Sequence, residues 1–262
     1  MKTQRVVAVA NQKGGVGKTT TVINLGAALA ALEESVLVAD LDPQANCSSG
    51  LGWSGDGVSS YEVLEGLQPL RDAIQATRFP NLDLLPANPN LVGAEIELAA
   101  DPHRAERLRR AITTARSQHR WVLVDCPPSL GILTANALAA ADAVLIPIQC
   151  EYFALEGVGE LMRTIDRVRG AWNPDLAVDG VVLTLYDERL TLGQQVVNEV
   201  RRFFGDAVFS TIVPRNVRLA EAPSFGRTIF EHDIRSRGAQ AYLSLAEEVL
   251  ARRRSDETVG AR

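Results

Sequence analysis

The sequence predicts an α/β fold built on a doubly wound, mostly parallel sheet. Short β-branched apolar runs alternate with helix-like stretches along most of the 262 residues, and the early runs end in glycines or aspartates. Alternation of this kind lays strands side by side with helices on both faces. Polar residues at the strand ends then collect on one edge of the sheet, where ligands bind.

Residues 5–10 (RVVAVA) read as the first strand and 19–32 (TTTVINLGAALAAL) as a helix with alanine and leucine on its buried side. Residues 36–40 and 121–125 (WVLVD) form further strands, each ending in aspartate followed closely by proline. A helix over 133–141 leads to a strand at 143–148. Then come a helix from about 155 to 169, a strand at 178–186, a helix over about 192–204 and a strand near 208–213. A last helix, about 236–254, places Ala239, Tyr242, Leu243, Ala246, Val249 and Leu250 at helical spacing, as a packed core helix does. The stretch 59–117 holds helix-like segments and a short strand near 82–85, in no order that the pattern fixes. With 46% apolar residues and no linker, the chain reads as a single domain over 1–262.

The loop between the first strand and helix carries the chemistry. Two of the chain's three lysines, Lys13 and Lys18, bracket it in KGGVGKTT, although arginine serves almost everywhere else. Ammonium groups are compact point charges, and glycines let successive backbone N–H groups converge on an anion beside a helix N-terminus. The loop is therefore expected to hold phosphate, with Lys18 on the β- and γ-phosphates and Thr19 on magnesium. The common pattern would put its first glycine at position 12, which is Gln12; the glycines stand at 14, 15 and 17 instead.

This departure, with the extra lysine, resembles the deviant Walker A motif of the ParA and MinD superfamily of dimerising P-loop ATPases. The resemblance implies ATP and Mg2+ as cofactors and a cradle formed by Lys13, Gly14, Gly15, Val16, Gly17, Lys18, Thr19 and Thr20. It also implies that Lys13 crosses to the phosphates held by a partner subunit, so that ATP closes a sandwich homodimer. Gly14, facing both phosphate and partner, would then tolerate no side chain.

Carboxylates at the ends of parallel strands share the edge from which the loop projects, where magnesium and an attacking water would sit. Hydrolysis needs charge neutralisation and a positioned water more than covalent chemistry. Asp42, in DLDPQAN, is the candidate for orienting that water. The resemblance implies that Asp40 supports the loop and magnesium and that Asp125, in DCPPS, is the Walker B aspartate. Thr19, Asp42 and Asp125 are thus the expected metal-side residues, and Lys13, Lys18 and Asp42 the catalytic ones.

Net charge is -5, so the whole chain is not a general polyanion binder and any nucleic-acid surface must be local. Three dispersed cysteines offer no C-x-x-C pair, which favours reduced thiols. Cys126 reads as a small residue in a packed loop, with a redox role as the alternative. With the loop about ten residues in, neither a leader nor a preceding helix-turn-helix is expected, and no run of eighteen uncharged apolar residues could span a membrane.

The segments PRNVRLAEAPS and RSRGA are similar to those of the chromosomal ParA proteins, also called Soj, and extend the resemblance over nearly the whole chain. It implies a partitioning ATPase, cytoplasmic and nucleoid-associated, that binds nonspecific double-stranded DNA as an ATP dimer and is stimulated by a ParB-type centromere-binding protein. Pro214 and Asn216 would lie by the adenine base. Arg189, Arg218, Arg235 and Arg237 are the DNA candidates, against the alternative of plain solvated arginines. Glu33, Glu34 and Ser35 stand where relatives commonly carry glycine and basic residues. A MinD-like membrane-positioning ATPase would end in a bulky amphipathic segment, unlike SDETVGAR here. The other rival is a metabolic nucleotide-dependent enzyme on the same fold.

Overall fold

The computed structural model describes residues 4–115, 118–152 and 154–259. In β1 (Arg5–Val9), Val6 and Ala8 face one side of the sheet and Val7 and Val9 the other. All four are buried, so both faces need a cover. The chain supplies the covers in turn. First come α1 (Lys18–Ala31), β2 (Val36–Asp40), α2 (Asn46–Gly50), α3 (Ser60–Glu65) and α4 (Leu70–Ala73). These are followed by β3 (Gln75–Ala76), β4 (Leu82–Leu85), α5 (Leu91–Glu97), α6 (Arg107–Ala115) and β5 (Trp121–Asp125). The second half adds α7 (Ile132–Ala140), β6 (Ala143–Gln149), α8 (Val158–Ala171), β7 (Ala177–Tyr186) and α9 (Thr191–Phe204). It closes with β8 (Val208–Pro214), α10 (Val217–Glu221), α11 (Ile229–Asp233) and α12 (Arg237–Val259).

The expected alternation is present, with boundaries shifted by local causes. The helix expected from residue 155 starts at Val158 because Gly157 adopts φ 80°, a left-handed conformation that no helix contains. The stretch 59–117 resolves into small helices around β4. Its first, α3, begins with a capping box in which Ser59 and Glu62 satisfy each other's backbone N–H groups. Residues 116–117 of that stretch lie outside the described residues, as do 1–3 and 260–262, on which the leader and membrane-tail expectations partly fall.

The eight strands run in the order β3-β4-β2-β5-β1-β6-β7-β8. All pairings are parallel except that of β3, a two-residue antiparallel edge. β1, β5 and β2 are therefore neighbours, and register pairs Asp125 with both Val9 and Asp40. The strand ends that carry the loop and the aspartates stand level.

One face is covered by α1 and α12. Leu25, Leu29, Tyr242, Leu245 and Ala246 pack there on Val7, Val38, Leu123 and Phe209. Fully burying a leucine contributes about 1.5–3 kcal/mol, which settles the apolar stripe of α12 against the sheet. The other face carries α7, α8 and α9, through Leu133, Ala137, Leu161, Ile165, Val197 and Val200. No described helix is long and apolar enough to cross a membrane.

Candidate functional site

The loop after β1 is shaped by backbone conformation first. Gly15 and Gly17 have φ of 74° and 86°, the latter at the N-cap of α1, and side chains at either would be strained. Gly14 has no such conformation, and a Cβ built on it would meet no atom of its own chain within 4 Å. Val16 is buried and Thr20 faces the cleft above the loop.

Two side-chain hydrogen bonds tie this loop to distant strands. Asn11, buried, donates from Nδ2 to the Pro147 carbonyl in β6 at 2.7 Å and accepts the Lys13 N–H on Oδ1 at 3.0 Å. Thr184 of β7 donates from Oγ1 to the Val16 carbonyl at 2.8 Å. Neither residue stands out in the sequence. The Thr184 bond spans 168 positions, and a threonine in an apolar strand carries no signal of its partner.

Three aspartates converge on the same edge. Thr19 Oγ1 donates to Asp125 Oδ2 at 2.7 Å, while Asp125 Oδ1 is buried without a donor. Asp40 accepts the Asp42 N–H on Oδ1 at 3.0 Å and both the N–H and the hydroxyl of Ser48 on Oδ2. With both oxygens occupied, Asp40 acts as a support of the loop. Asp42 accepts the Gln44 N–H at 2.9 Å and lines the cleft.

Burial sets the electrostatics. Desolvation, with the charge of Asp40 next, pushes the Asp125 carboxyl well above the usual carboxylate range despite the Thr19 bond. Asp40 is likewise pushed up to about 6 by burial, against its hydrogen bonds to Ser48 and Asp42. Lys18 is 7% exposed and its Nζ donates to the Lys13 carbonyl at 3.3 Å. Burial lowers its pKa, and the nearby Asp125, Cys126 and Asp42 oppose that. The Lys13 ammonium has no hydrogen-bond or ion-pair partner among the described residues. One buried cation thus faces three carboxylates.

The unpartnered Asp125 oxygen beside the Thr19 hydroxyl fits a hard divalent cation such as magnesium, which takes oxygen donors and keeps several waters. Among the described residues no group of three or more His, Cys, Asp or Glu could hold a metal alone. A cation here would need phosphate oxygens as well. Cys126 is buried and desolvation raises its thiol pKa, which disfavours the reactive thiolate and suits a packed small residue.

Over these groups lies a cleft of about 630 Å³ lined by Gly14, Gly17, Lys18, Asp42, Pro128 and Pro223, among others. A smaller cavity of about 90 Å³ shares Gly17 and Thr20 with it and brings in Pro214 and Asn216. The Asn216 side chain caps α10 by accepting the Arg218 N–H at 2.8 Å.

The four arginines singled out for DNA lie apart from the cleft lining, and three are paired. Arg189 forks onto Asp187, holding that carboxyl down to about 2. Arg237 forks onto Glu188, and Arg218 bonds Glu221 at 2.9 Å with Asp233 at 3.7 Å. Arg235 is exposed, its backbone N–H bonded to the same Asp233. Glu188 lies 49 positions from Arg237, too far for spacing to reveal the pair, whereas Asp187 and Glu221 lie two and three positions from their arginines.

Residues 4–178 match a family model described as an AAA domain. The chain is 54% identical to the chromosome partitioning protein ParA of Caulobacter vibrioides, covering 98% of each chain. It is 50% identical to the sporulation initiation inhibitor protein Soj of Bacillus subtilis, over 94% of this chain and 98% of that one. Among solved structures, one from Mycobacterium smegmatis named cobyrinic acid a,c-diamide synthase, with bound ADP and magnesium, superposes with a TM-score of 0.86. It is 40% identical and the match covers 97% of this chain and 96% of that one.

Proposed function

The chain belongs to the ParA and Soj family of chromosome-partitioning ATPases, and from that premise we propose that it is an ATP-driven switch that segregates DNA. ATP and magnesium close a sandwich dimer, the closed dimer binds double-stranded DNA without sequence preference, and hydrolysis to ADP and phosphate releases it. A ParB-type centromere-binding protein accelerates hydrolysis and so turns the switch into movement of a chromosome or plasmid. The protein acts in the cytoplasm, on the nucleoid.

The observation that carries this reading is the buried, donor-free oxygen of Asp125, whose other oxygen accepts from Thr19 and whose charge is felt by Lys18 of the glycine loop. Thr19 and Asp125 would hold a magnesium ion, which would supply charge neutralisation for the phosphates and for the surplus of carboxylates here. The N–H groups of residues 13–20 cradle the phosphates and Lys18 neutralises the β- and γ-oxygens. Asp42, fixed through its N–H and through the Gln44 N–H, orients the attacking water in line with the γ-phosphorus. Pro214 and Asn216 sit on the base side. Lys13, whose ammonium has no hydrogen-bond or ion-pair partner among the described residues, reaches the partner subunit's phosphates. Because a ligand shifts an equilibrium only through better binding to one state, this contact is what makes ATP favour the dimer.

A second reading rests on the Mycobacterium smegmatis relative, whose name is that of an amide-forming enzyme on the same fold. One set of measurements separates the two. Light scattering and DNA co-sedimentation with ATP, ADP and no nucleotide should give a dimer that binds DNA with ATP alone. Monomer under all three conditions, with turnover raised by cobyrinic acid and an amide donor, would favour the synthase.

A further inference from the structure

Ser48 lies outside the cleft lining and is fully buried, yet three segments meet on it. Its Oγ donates to Asp40 Oδ2 at 2.7 Å, and its N–H donates to the same oxygen at 2.9 Å. The same Oγ accepts the Ala87 N–H, from the segment after β4, at 2.8 Å. A hydroxyl has one proton, so giving it to Asp40 while accepting from Ala87 fixes the rotamer and ties β2, α2 and that segment together. Ser60 adds a second tie, donating from Oγ to the Asp40 carbonyl at 2.8 Å and from N to the Pro86 carbonyl at 2.7 Å. The chain of contacts ends at the reaction. Asp40 Oδ1 receives the Asp42 N–H, so the orientation that Ser48 imposes on the Asp40 carboxylate is passed to the backbone that carries Asp42.

We propose that Ser48 is a positioning residue for hydrolysis, acting through Asp40 to fix where Asp42 holds the attacking water. The proposal rests on the ATPase reading given above. It predicts an effect on the chemical step and not on nucleotide affinity, since Ser48 is not in the cleft lining and its hydrogen bonds go to Asp40, Ala87, Leu51 and Trp53 and not to the glycine loop. Misplacement of a positioning group costs rate without costing ground-state binding.

The test compares wild type, Ser48→Ala, Ser48→Cys and Ser48→Thr by steady-state ATPase kinetics, equilibrium binding of a fluorescent ATP analogue and thermal melting. Ser48→Ala and the size-matched Ser48→Cys should lower kcat by on the order of ten- to a hundredfold, with analogue affinity and KM for ATP within about threefold of wild type. Ser48→Thr, which keeps the hydroxyl, should recover most of kcat; if its extra methyl lowers the melting temperature below that of Ser48→Cys, the Ala and Cys pair decides. Wild-type kcat in Ser48→Ala or Ser48→Cys, or kcat and affinity falling together with melting temperature, would overturn the proposal while leaving the ATPase reading intact. Absence of ATP hydrolysis by the wild-type chain would overturn that reading, and this one with it.

Discussion

Thr19 and Asp125, 106 positions apart, share one hydrogen bond of 2.7 Å at the point where β5 ends and α1 begins. The bond uses one Asp125 oxygen and leaves the other buried without a donor. A buried carboxylate in that condition is held at a cost to stability, which a bound cation removes. Nucleotide-free protein should therefore be strained at this site by its own charge.

This gives a pH dependence with a definite sign. Asp125 and Asp40 have folded pKa values raised above the usual 3.8, Asp40 to about 6. Such groups bind protons more tightly when folded, so the slope of stability with pH is negative across the window between the unfolded and folded values. For Asp40 the loss runs from about pH 4 to about pH 6, and for Asp125 it continues upward. Asp125→Asn keeps an acceptor for Thr19 and removes the charge. Its nucleotide-free melting temperature should exceed that of wild type at pH 8 by about 2–6 °C, with the gap closing toward pH 4, and magnesium-ATP should no longer raise it. Surface acids held low, such as Asp187, are common to both proteins and cancel. Parallel melting curves from pH 5 to pH 8 would contradict the assignment.

The two loop lysines should separate cleanly. Lys18 is buried among carboxylates, so Lys18→Ala removes the main side-chain partner of the β- and γ-phosphates and should weaken ATP binding at least about a hundredfold. Lys13→Ala should leave monomer affinity within about threefold while abolishing the ATP dimer, because its ammonium has no hydrogen-bond or ion-pair partner among the described residues. Gly14→Ala should behave as Lys13→Ala does and melt normally, since its Cβ would meet no own-chain atom. Calorimetry for affinity and size-exclusion chromatography with ATP and magnesium check all three. An ATP-dependent dimer of normal turnover in Lys13→Ala would make the loop an ordinary one.

What could be read from the sequence was whatever is local. Lys13, Gly15, Gly17, Lys18 and Thr19 lie within one loop, and Asp40 and Asp125 each close an apolar run, so spacing alone places them on one sheet edge. Thr184, Asn11 and Ser48 escaped because their roles are bonds to partners as far as 168 positions away, and nothing about a buried hydroxyl or amide names its partner in advance. Within residues 59–117 the strand at 82–85 was legible, and the helices around it escaped for a different reason. They are three to nine residues long, too short for periodicity to mark. The arginines were visible in their segments, but the pairing of Arg237 with Glu188, 49 positions away, was not.

Asp42→Ala should remove the water-positioning carboxylate and spare the phosphate and metal contacts of Lys18, Thr19 and Asp125. Turnover should then fall by on the order of a hundredfold or more. The ATP dimer, no longer resolved by hydrolysis, should accumulate. A variant that runs only as monomer with ATP and magnesium would show that Asp42 is needed for closure instead.

The ion pairs on the arginine surface change what a DNA test must include. Arg237 and Arg218 already hold Glu188 and Glu221, so binding phosphate means exchanging one anion for another. Exposed pairs are weak and salt-screened, which makes the exchange feasible but subtracts from the gain. Arg218→Glu and Arg235→Glu should each lower DNA affinity and reduce the log-log salt slope by about 0.9, on any DNA sequence. Dimerisation with ATP should survive in both, since neither lines the phosphate cleft. Glu188→Gln should act in the opposite direction, because it frees the Arg237 guanidinium from its fork and removes a like charge from the DNA face. Tighter DNA binding by Glu188→Gln, together with weaker binding by the two arginine reversals, marks the surface as the phosphate-contacting one. Unchanged affinity and slope in all three, in proteins that dimerise normally, would leave these arginines as solvated surface residues and move the DNA face elsewhere.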